Sequence, residues 1–307
     1  MQYKRRYNFI ISFMLIVITI LATLFFCLPK FNNVESEKTP DQVVVEQEKD
    51  EVSDVSSLTK VRFNNFNTAL KHAYNYLENT AGYKSYNYGK FSLNVKNLVN
   101  IEQTIKIFTE INNKNNTSHA IVCTYGDGKI KNDIGFEFSK VGDEVSMRRS
   151  IQRVEGGFNY ENKKVTRYSI EDYKKEWNIF PEDAFTKFDI TRVLNGNMTK
   201  NQNTYKLTFT LEVGQIIDDS IIFVKRFFDN SDNAQNINPS FYGVSIEMIL
   251  DEYGRPKTIQ YTTNFYDLSL YGVGIPLSGL TGGMTYTQQI YGYGQSIQIN
   301  SLPDPVK

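Results

Sequence analysis

The stretch of sequence that decides the fold is Val244–Phe265, VSIEMILDEYGRPKTIQYTTNF. Large side chains alternate with polar ones along both of its arms: Val244, Ile246, Met248 and Leu250, then Ile259, Tyr261, Thr263 and Phe265. Between the arms lies Asp251–Pro256, a segment rich in turn-forming residues. Alternation with period two is typical of a strand with one buried face, so the stretch predicts an antiparallel hairpin in a half-buried sheet.

The same alternation recurs on both sides of this hairpin. Further strands are predicted at Phe91–Val95, Val99–Ile111, Ala120–Tyr125, Ile134–Phe138, Val145–Arg149, Tyr205–Val213 and Thr285–Ile299. Polar or glycine-containing turns separate most successive strands, and Gly272–Gly283 is predicted to be a glycine-rich loop. Short turns between successive strands favour an antiparallel meander.

Three stretches have helical spacing instead. Leu58–Ala81 has an apolar face and is followed by Gly82, which we expect to end the helix. Ser169–Trp177 begins with a capping-box pattern, and Ile217–Phe228 is amphipathic. The order helix, strands, helix, strands predicts an α+β fold in which packed helices cover a large, curved, half-barrel-like antiparallel sheet.

The N-terminus carries a predicted transmembrane helix. Phe9–Leu28 has no charged residue, and a helix of that length spans about 30 Å, the hydrocarbon thickness of a bilayer. Basic residues precede it, so we expect residues 1–8 in the cytoplasm and the C-terminal domain outside the cell. A cleaved signal peptide, or a lipoprotein signal with Cys27 acylated, is the alternative to an uncleaved single-pass anchor at 9–29.

Charge separates the segment after the anchor from the domain. Residues 35–54 hold eight acidic residues against two lysines, so residues 30–57 are predicted to be an acidic, disordered spacer. The extracytoplasmic domain is then 58–307. Because the whole chain has a formal net charge of zero, no electrostatic argument favours a nucleic-acid partner.

The sequence contains no pattern typical of a catalytic, metal or cofactor site. His72 and His119 are expected at the surface, and Cys123 lies in an apolar run that predicts a core position. Neither a nucleophile elbow nor the common zinc and calcium motifs are present. We therefore expect a non-enzymatic protein with no cofactor, and we nominate no catalytic or metal-binding residue.

Aromatic residues supply the candidate ligand-binding positions. They cluster near the C-terminus, at Tyr261, Phe265, Tyr286, Tyr291 and Tyr293. Tyrosine offers a rigid contact area with a polar tip, which suits a binding surface, although strand propensity alone also explains the cluster.

The chain from Leu58 onward resembles the LolA and LppX superfamily of half-barrel lipid-handling envelope proteins. The features that carry the resemblance are Leu58–Ala81 ahead of a meander, Asn203–Val213 followed by the helix at 217–228, the hairpin at 244–265, and the terminal stretch Ser296–Pro305. The resemblance implies a concave sheet that holds acyl chains and has no catalytic residues. The transmembrane anchor departs from that family. A second resemblance is to membrane-anchored conjugation proteins with domains similar to nuclear transport factor 2.

Two functions follow as hypotheses for a single-pass cell-membrane protein. In the first, the curved sheet holds a hydrophobic ligand such as an acyl lipid. In the second, a solid-cored envelope module uses a tyrosine-rich face to bind another protein or a wall glycan, as part of a multi-protein assembly. An envelope hydrolase is a third alternative that lacks a nucleophile signature.

Overall fold

A computed structural model describes residues 58–95, 99–127, 133–184, 190–211, 237–270 and 280–306. The predicted anchor, the predicted spacer and the predicted helix at 217–228 lie outside these residues. Within the described ranges, no helix is long and apolar enough to cross a membrane. The described residues all belong to the compact unit Asp50–Lys307.

Antiparallel strands dominate the described residues, and two α-helices accompany them. The strands are β1 (Gly82–Val95), β2 (Val99–Asn112), β3 (Thr117–Asp127), β4 (Ile134–Val141), β5 (Glu144–Ser150), β6 (Arg153–Val154), β7 (Gly157–Phe158), β8 (Val165–Ser169), β9 (Val193–Asn201), β10 (Thr204–Leu211), β11 (Ile237–Leu250), β12 (Pro256–Leu270) and β13 (Leu280–Tyr291). The helices are α1 (Phe66–Asn79) and α2 (Ile170–Trp177), and 3-10 turns lie at Pro181–Asp183 and Ile190–Arg192.

Eleven of these strands form one large curved sheet with the order β8-β5-β4-β3-β2-β1-β13-β12-β11-β10-β9. Every neighbouring pair is antiparallel, and β6 and β7 form a separate small hairpin. β1 pairs with β2 on one side and with β13 on the other. The first and last strands of the sheet therefore meet at its centre, and each half of the sheet is a meander that runs outward from them.

One face of the sheet packs against the helices, and we call it the inner face. Its buried apolar side chains come from alternate positions on both halves of the sheet: Ile105, Ile107, Val122, Phe136 and Phe138 on one side, and Leu207, Phe209, Ile246, Met248 and Ile259 on the other. The cross-strand register aligns them, with Met248 opposite both Leu207 and Ile259. The period-two pattern thus sorts apolar side chains to the helix-covered face.

The predicted hairpin at 244–265 is present as β11 and β12. The Asp251 carboxylate accepts hydrogen bonds from the backbone N–H groups of Tyr253 and Arg255, each at 2.9 Å, and from Arg255 Nε at 2.7 Å. Gly254 adopts a φ of +78°, a left-handed conformation that favours glycine. Asp251 and Gly254 therefore form the turn that the sequence predicts between the two strands.

The first helix is shorter than the sequence pattern predicts. Asn65 caps α1 by accepting from the Thr68 N–H at 2.9 Å, so the helix begins at Phe66 instead of Leu58. The preceding residues are extended, and Val61 N–H donates to the Glu252 carbonyl. The expectation that Gly82 ends the helix was wrong because α1 already ends at Asn79, and Gly82 is the first residue of β1.

The prediction for the C-terminal strand was also wrong at both ends. β13 begins at Leu280, within the expected glycine-rich loop, and it ends at Tyr291 instead of Ile299. Gly292 and Gly294 have φ values of +62° and +79°, which turn the chain out of the sheet. The segment after this turn crosses the face opposite the helices, which we call the outer face.

Hydrogen bonds from several strands hold this C-terminal segment against the sheet. Asn112 Nδ2 donates to the Ile297 carbonyl and Ser139 Oγ donates to the Asn300 carbonyl, each at 2.7 Å. The Leu302 N–H donates to Ser146 Oγ at 3.0 Å. The segment therefore ties together strands from one half of the sheet.

Candidate functional site

The centre of the inner face differs in chemistry from the apolar regions on either side. The central strand β1 contributes Ser85, Asn87 and Gly89, which lie at alternate positions and are all buried. In the register, Asn87 lies opposite Gln288 of β13 and opposite Ile107 of β2. Directly opposed residues on one face have Cβ atoms about 5 Å apart, so the two amides are neighbours. We call Ser85, Asn87 and Gln288 the central polar cluster.

The hydrogen bonds of this cluster are incomplete. Ser85 Oγ bonds to Thr109 Oγ1 at 2.6 Å, and Gln288 Nε2 donates to Ser85 Oγ at 3.4 Å. Asn87 is only 1% exposed, yet neither its Nδ2 nor its Oδ1 has a hydrogen-bond partner among the described residues. Gln288 is 4% exposed and its Oε1 likewise has none there. Buried polar groups are normally paired, so these amides call for an explanation.

Two predicted ligand-binding residues lie beside this cluster on the inner face. Tyr261 and Tyr286 are opposed across β12 and β13, fully buried, with ring centroids 6.1 Å apart. A Cβ at Gly89 would lie 2.8 Å from the Tyr286 ring and 2.7 Å from Ile105, so glycine permits both to cover β1. Burial raises the pKa of both phenols far above the usual range, which keeps the hydroxyls protonated.

The structure separates the remaining candidates from that pair. Tyr293 is half-buried at the α1 end of the sheet, where its hydroxyl donates to the Pro256 carbonyl and its ring packs on Tyr76. Tyr291 falls on the outer face by alternation along β13. Phe265 lies in β12, and its side chain is outside what the structure describes. The cluster read from the sequence is therefore not one surface.

The helices close one end of the inner face. Leu70 and Ala73 of α1 are buried against the sheet, and Asn113 Nδ2 donates to the Leu77 and Thr80 carbonyls at 2.7 and 2.9 Å. On the other half, α2 buries Tyr173 and Trp177; the Trp177 ring packs edge-on at 5.4 Å from both Phe136 and Phe138. Ser169 caps α2 as the sequence predicts. Both helices lie where the turns 113–116, 142–143 and 251–255 reverse the chain.

The histidines belong to packing and charge networks. His72 of α1 is half-buried with its ring 5.2 Å from that of Phe63, so the surface position expected for it was wrong. His119 lies on the outer face, where Nε2 is 3.0 Å from Glu137 Oε1, and Arg148 Nε is 2.5 Å from Glu137 Oε2. Burial by itself raises the pKa of Glu137, but the His119 and Arg148 hydrogen bonds outweigh it and hold that pKa below the usual range.

Cys123 is buried, as the sequence predicts, on the outer face beneath the β6–β7 hairpin. Burial raises the pKa of its thiol, an effect that hydrogen bonds with Tyr125 and Tyr160 only partly offset. A buried thiol with a raised pKa is a poor nucleophile. No group of acidic, histidine or cysteine side chains suited to a metal ion occurs in the part of the chain that the structure describes.

Sequence reasoning missed the residues that distinguish the centre of the inner face. Asn87, Gln103 and Gln288 lie in strands, and polar residues in an alternating pattern are usually read as solvent-facing. Lys84-Ser-Tyr-Asn-Tyr88 contains the available signal, because large and small side chains alternate there and neither set is aliphatic. Which of its two faces is buried depends on the pairing with β2 and β13, which no local pattern gives.

Comparisons with known proteins match only at the level of solved structures, since no family model and no curated protein matches the chain. A LolA superfamily protein from Nitrosomonas europaea is 10% identical, with 78% of this chain and 95% of that chain covered and a TM-score of 0.23. A DUF1329 family protein from Desulfovibrio piger is 10% identical, with 77% of this chain and 96% of that chain covered and a TM-score of 0.27. A β-barrel-like DUF1849 protein from Brucella abortus is 6% identical, with 73% of this chain and 99% of that chain covered and a TM-score of 0.25.

The LolA superfamily, which the sequence pattern resembles, is thus represented among the structural matches. At these identities and TM-scores the matches carry no argument about a ligand or an activity.

Proposed function

We propose that the protein is a membrane-anchored, extracytoplasmic, non-enzymatic binding protein that holds an acyl ligand against the inner face of its sheet. The observation that carries the proposal is the composition of this face. It is apolar on both halves and polar at the centre, and buried amides there have no partner among the described residues. Such an arrangement suits a ligand with hydrocarbon and a polar group in one molecule.

The position of the aromatic residues supports this function over the envelope interaction module. That alternative needs the tyrosine-rich cluster on an exposed face. Tyr261 and Tyr286 are instead buried on the helix-covered side. An interaction surface built on the remaining candidates would depend on Tyr291 and Tyr293. Tyr291 lies on the outer face of β13, whereas Tyr293 packs on Tyr76 at the α1 end of the sheet, so the two do not form one surface.

The direct test is to identify what the protein carries from the cell. The full chain would be expressed in a Gram-positive host with a protease site inserted within residues 30–57. Cleavage would release the folded domain without detergent, and solvent extraction with mass spectrometry would identify bound molecules. We expect an acyl lipid at about one per protein. A domain that carries none and takes up no fatty-acyl probe would exclude the proposal and leave the envelope interaction module.

A variant that fills the interior provides the matched control. Ser85→Phe adds a large ring to the buried centre of β1, whereas Tyr86→Phe changes the next residue, on the outer face, with nearly the same side-chain volume. We expect the lipid to be lost from the first variant and kept by the second. If the Ser85→Phe protein unfolds, the smaller change Ser85→Val serves the same purpose.

A further inference from the structure

The central polar cluster carries a more specific inference about the ligand, one that rests on the proposed function. We propose that Asn87 and Gln288 form a subsite for a neutral ester or amide group of the acyl ligand. The subsite lies at the middle of the inner face, where β1 and β13 pair. The ligand class is therefore an uncharged acyl ester or acyl amide, and neither a pure hydrocarbon nor an ionised fatty acid fits as well.

A finished protein core pairs its buried amides or contains apolar side chains in their place. A buried amide that makes no hydrogen bond loses its hydration without compensation, whereas an apolar side chain of the same shape avoids that cost. Asn87 leaves both amide atoms without a partner among the described residues, and Gln288 leaves one. Ser85 and Thr109 beside them already satisfy each other at 2.6 Å. Where β1 and β13 pair, the unmet amide capacity thus lies in two opposed side chains; Gln103 Nε2 on β2 is a further amide atom without a partner among the described residues.

The donors and acceptors define the chemistry that would complete the cluster. Asn87 Nδ2 can donate to a carbonyl oxygen, which esters and amides both supply. Asn87 Oδ1 and Gln288 Oε1 can accept from an amide N–H or from a hydroxyl beside an ester. Ile107 and Ile259 lie immediately beside the two amides in the register, so hydrocarbon on either side of the polar group would contact apolar side chains.

The strands around the cluster direct no charged side chain inward beside it, which disfavours an ionised group there. Among the described residues, the inward-facing side chains of β13, β1, β2 and β3 include no charged group: Met284, Tyr286, Gln288 and Ile290; Tyr83, Ser85, Asn87, Gly89 and Phe91; Gln103, Ile105, Ile107, Thr109 and Ile111; Ser118, Ala120, Val122 and Thr124. Beyond Ser118, this side of the sheet carries an ion pair: Ser118 Oγ donates to Glu182 Oε1, which lies 3.2 Å from Lys140 Nζ. Because that lysine is already paired, a carboxylate or phosphate beside Asn87 would have no free counter-ion, and its desolvation would oppose binding. A neutral ester or amide avoids that cost.

The test compares ligands of matched size on matched variants. The released domain, cut from the folded full chain, is stripped of lipid and offered methyl palmitate, nonadecane or palmitate from cyclodextrin. Methyl palmitate and nonadecane have equal numbers of non-hydrogen atoms and differ in the ester. Asn87→Leu replaces the amide by an apolar side chain of the same branching, and Gln288→Leu removes the amide with one side-chain atom fewer. Gln289→Leu makes that second change on the outer face of the same strand.

We expect Asn87→Leu to lower the affinity for methyl palmitate by roughly threefold to tenfold, the effect of one lost hydrogen bond. Gln288→Leu should leave that affinity unchanged, because the ester has no donor for Gln288 Oε1. Affinity for nonadecane should stay the same, and Gln289→Leu should change neither. Palmitate should bind the wild type more weakly than its methyl ester at neutral pH. Chemical denaturation without ligand should find Asn87→Leu at least as stable as the wild type. If Asn87→Leu fails to fold, the wild-type preference for methyl palmitate over nonadecane and over palmitate decides the question.

Each other outcome has a distinct meaning. If the wild type binds nonadecane and the ester but Asn87→Leu does not selectively weaken binding of the ester, the amides serve a buried water or the core. The subsite is then refuted while the proposed function stands. Tighter binding of palmitate than of its ester also refutes the neutral class. If the wild type binds none of the three ligands, the proposed function fails together with the subsite.

Discussion

Gly254→Ala should destabilise the domain by about 2–5 kcal/mol, because two separate costs add at this position. The residue has a φ of +78°, and a left-handed conformation costs an L-amino acid roughly 1–2 kcal/mol. A new Cβ would also lie 2.6 Å from His72 Cδ2 and 2.8 Å from the Phe63 ring. Such overpacking of a well-packed site adds about 1–3 kcal/mol.

The clash matters for function because it lies between the hairpin turn and the first helix. His72 is part of α1, and Phe63 belongs to the extended segment before it. The aromatic contacts of Phe63 with His72 and Tyr205 join that segment to β10. A methyl group at residue 254 would push on the elements that close one end of the inner face, so ligand retention should weaken together with stability.

Gly156→Ala separates the two costs. Gly156 has almost the same φ, +80°, and a Cβ there meets no atom within 4 Å. The Gly156→Ala variant should therefore lose only the cost of the left-handed backbone, about 1–2 kcal/mol of unfolding free energy. Urea denaturation of both variants and the wild type, followed by tryptophan fluorescence from Trp177, gives the comparison. Equal losses for the two variants would refute the close packing of the turn against His72 and Phe63.

Three further predictions concern charge, thiol reactivity and location. Because the folded state lowers the pKa of Glu137, its contribution to stability should be present at neutral pH and disappear as the pH falls below about 4; the stability advantage of wild type over Glu137→Gln, measured by denaturation, should shrink accordingly. Gly135→Ala would place a Cβ 2.6 Å from the Phe158 ring, so it should speed labelling of Cys123 by a thiol reagent, and an unchanged rate would contradict the covering role of the β6–β7 hairpin. Deletion of residues 9–28 should move the chain from the carbonate-resistant membrane pellet to the supernatant, and a deleted chain that still pellets would contradict the predicted anchor.

The elements that could be predicted from the sequence are those whose causes are local. The β11–β12 hairpin follows from alternation and from the Asp251–Arg255 turn, whose side chain and glycine fix the reversal. α2 follows from the Ser169 cap. For α1, apolar residues at helical spacing extended the prediction back to Leu58, but the Asn65 side chain accepts from Thr68 N–H and begins the helix there.

The candidate site could be predicted only in part, because it depends on a pairing between distant segments. Asn87 and Gln288 become neighbours only when β1 pairs with β13, and neither residue lies in a local motif. The same pairing turns Tyr286 inward and Tyr291 outward, although the sequence groups them together. Aromatic clustering pointed to β12 and β13, which lie beside the central polar cluster, while the buried amides could be recognised only after the face that packs on the helices was known.

The central pairing also bears on how an acyl ligand could be held without weakening the sheet. β1 and β13 are the only described strands that join the two meanders, so the middle of the sheet must be stable with or without a ligand. Their twelve paired positions supply a continuous backbone ladder there. These backbone hydrogen bonds stabilise the pairing of β1 with β13. Inward side chains such as Ser85, Asn87 and Gly89 are therefore less needed for packing at this position. A polar group of the ligand placed where β1 and β13 pair would contact both halves of the sheet, whereas the same group placed on either apolar half would contact only that half.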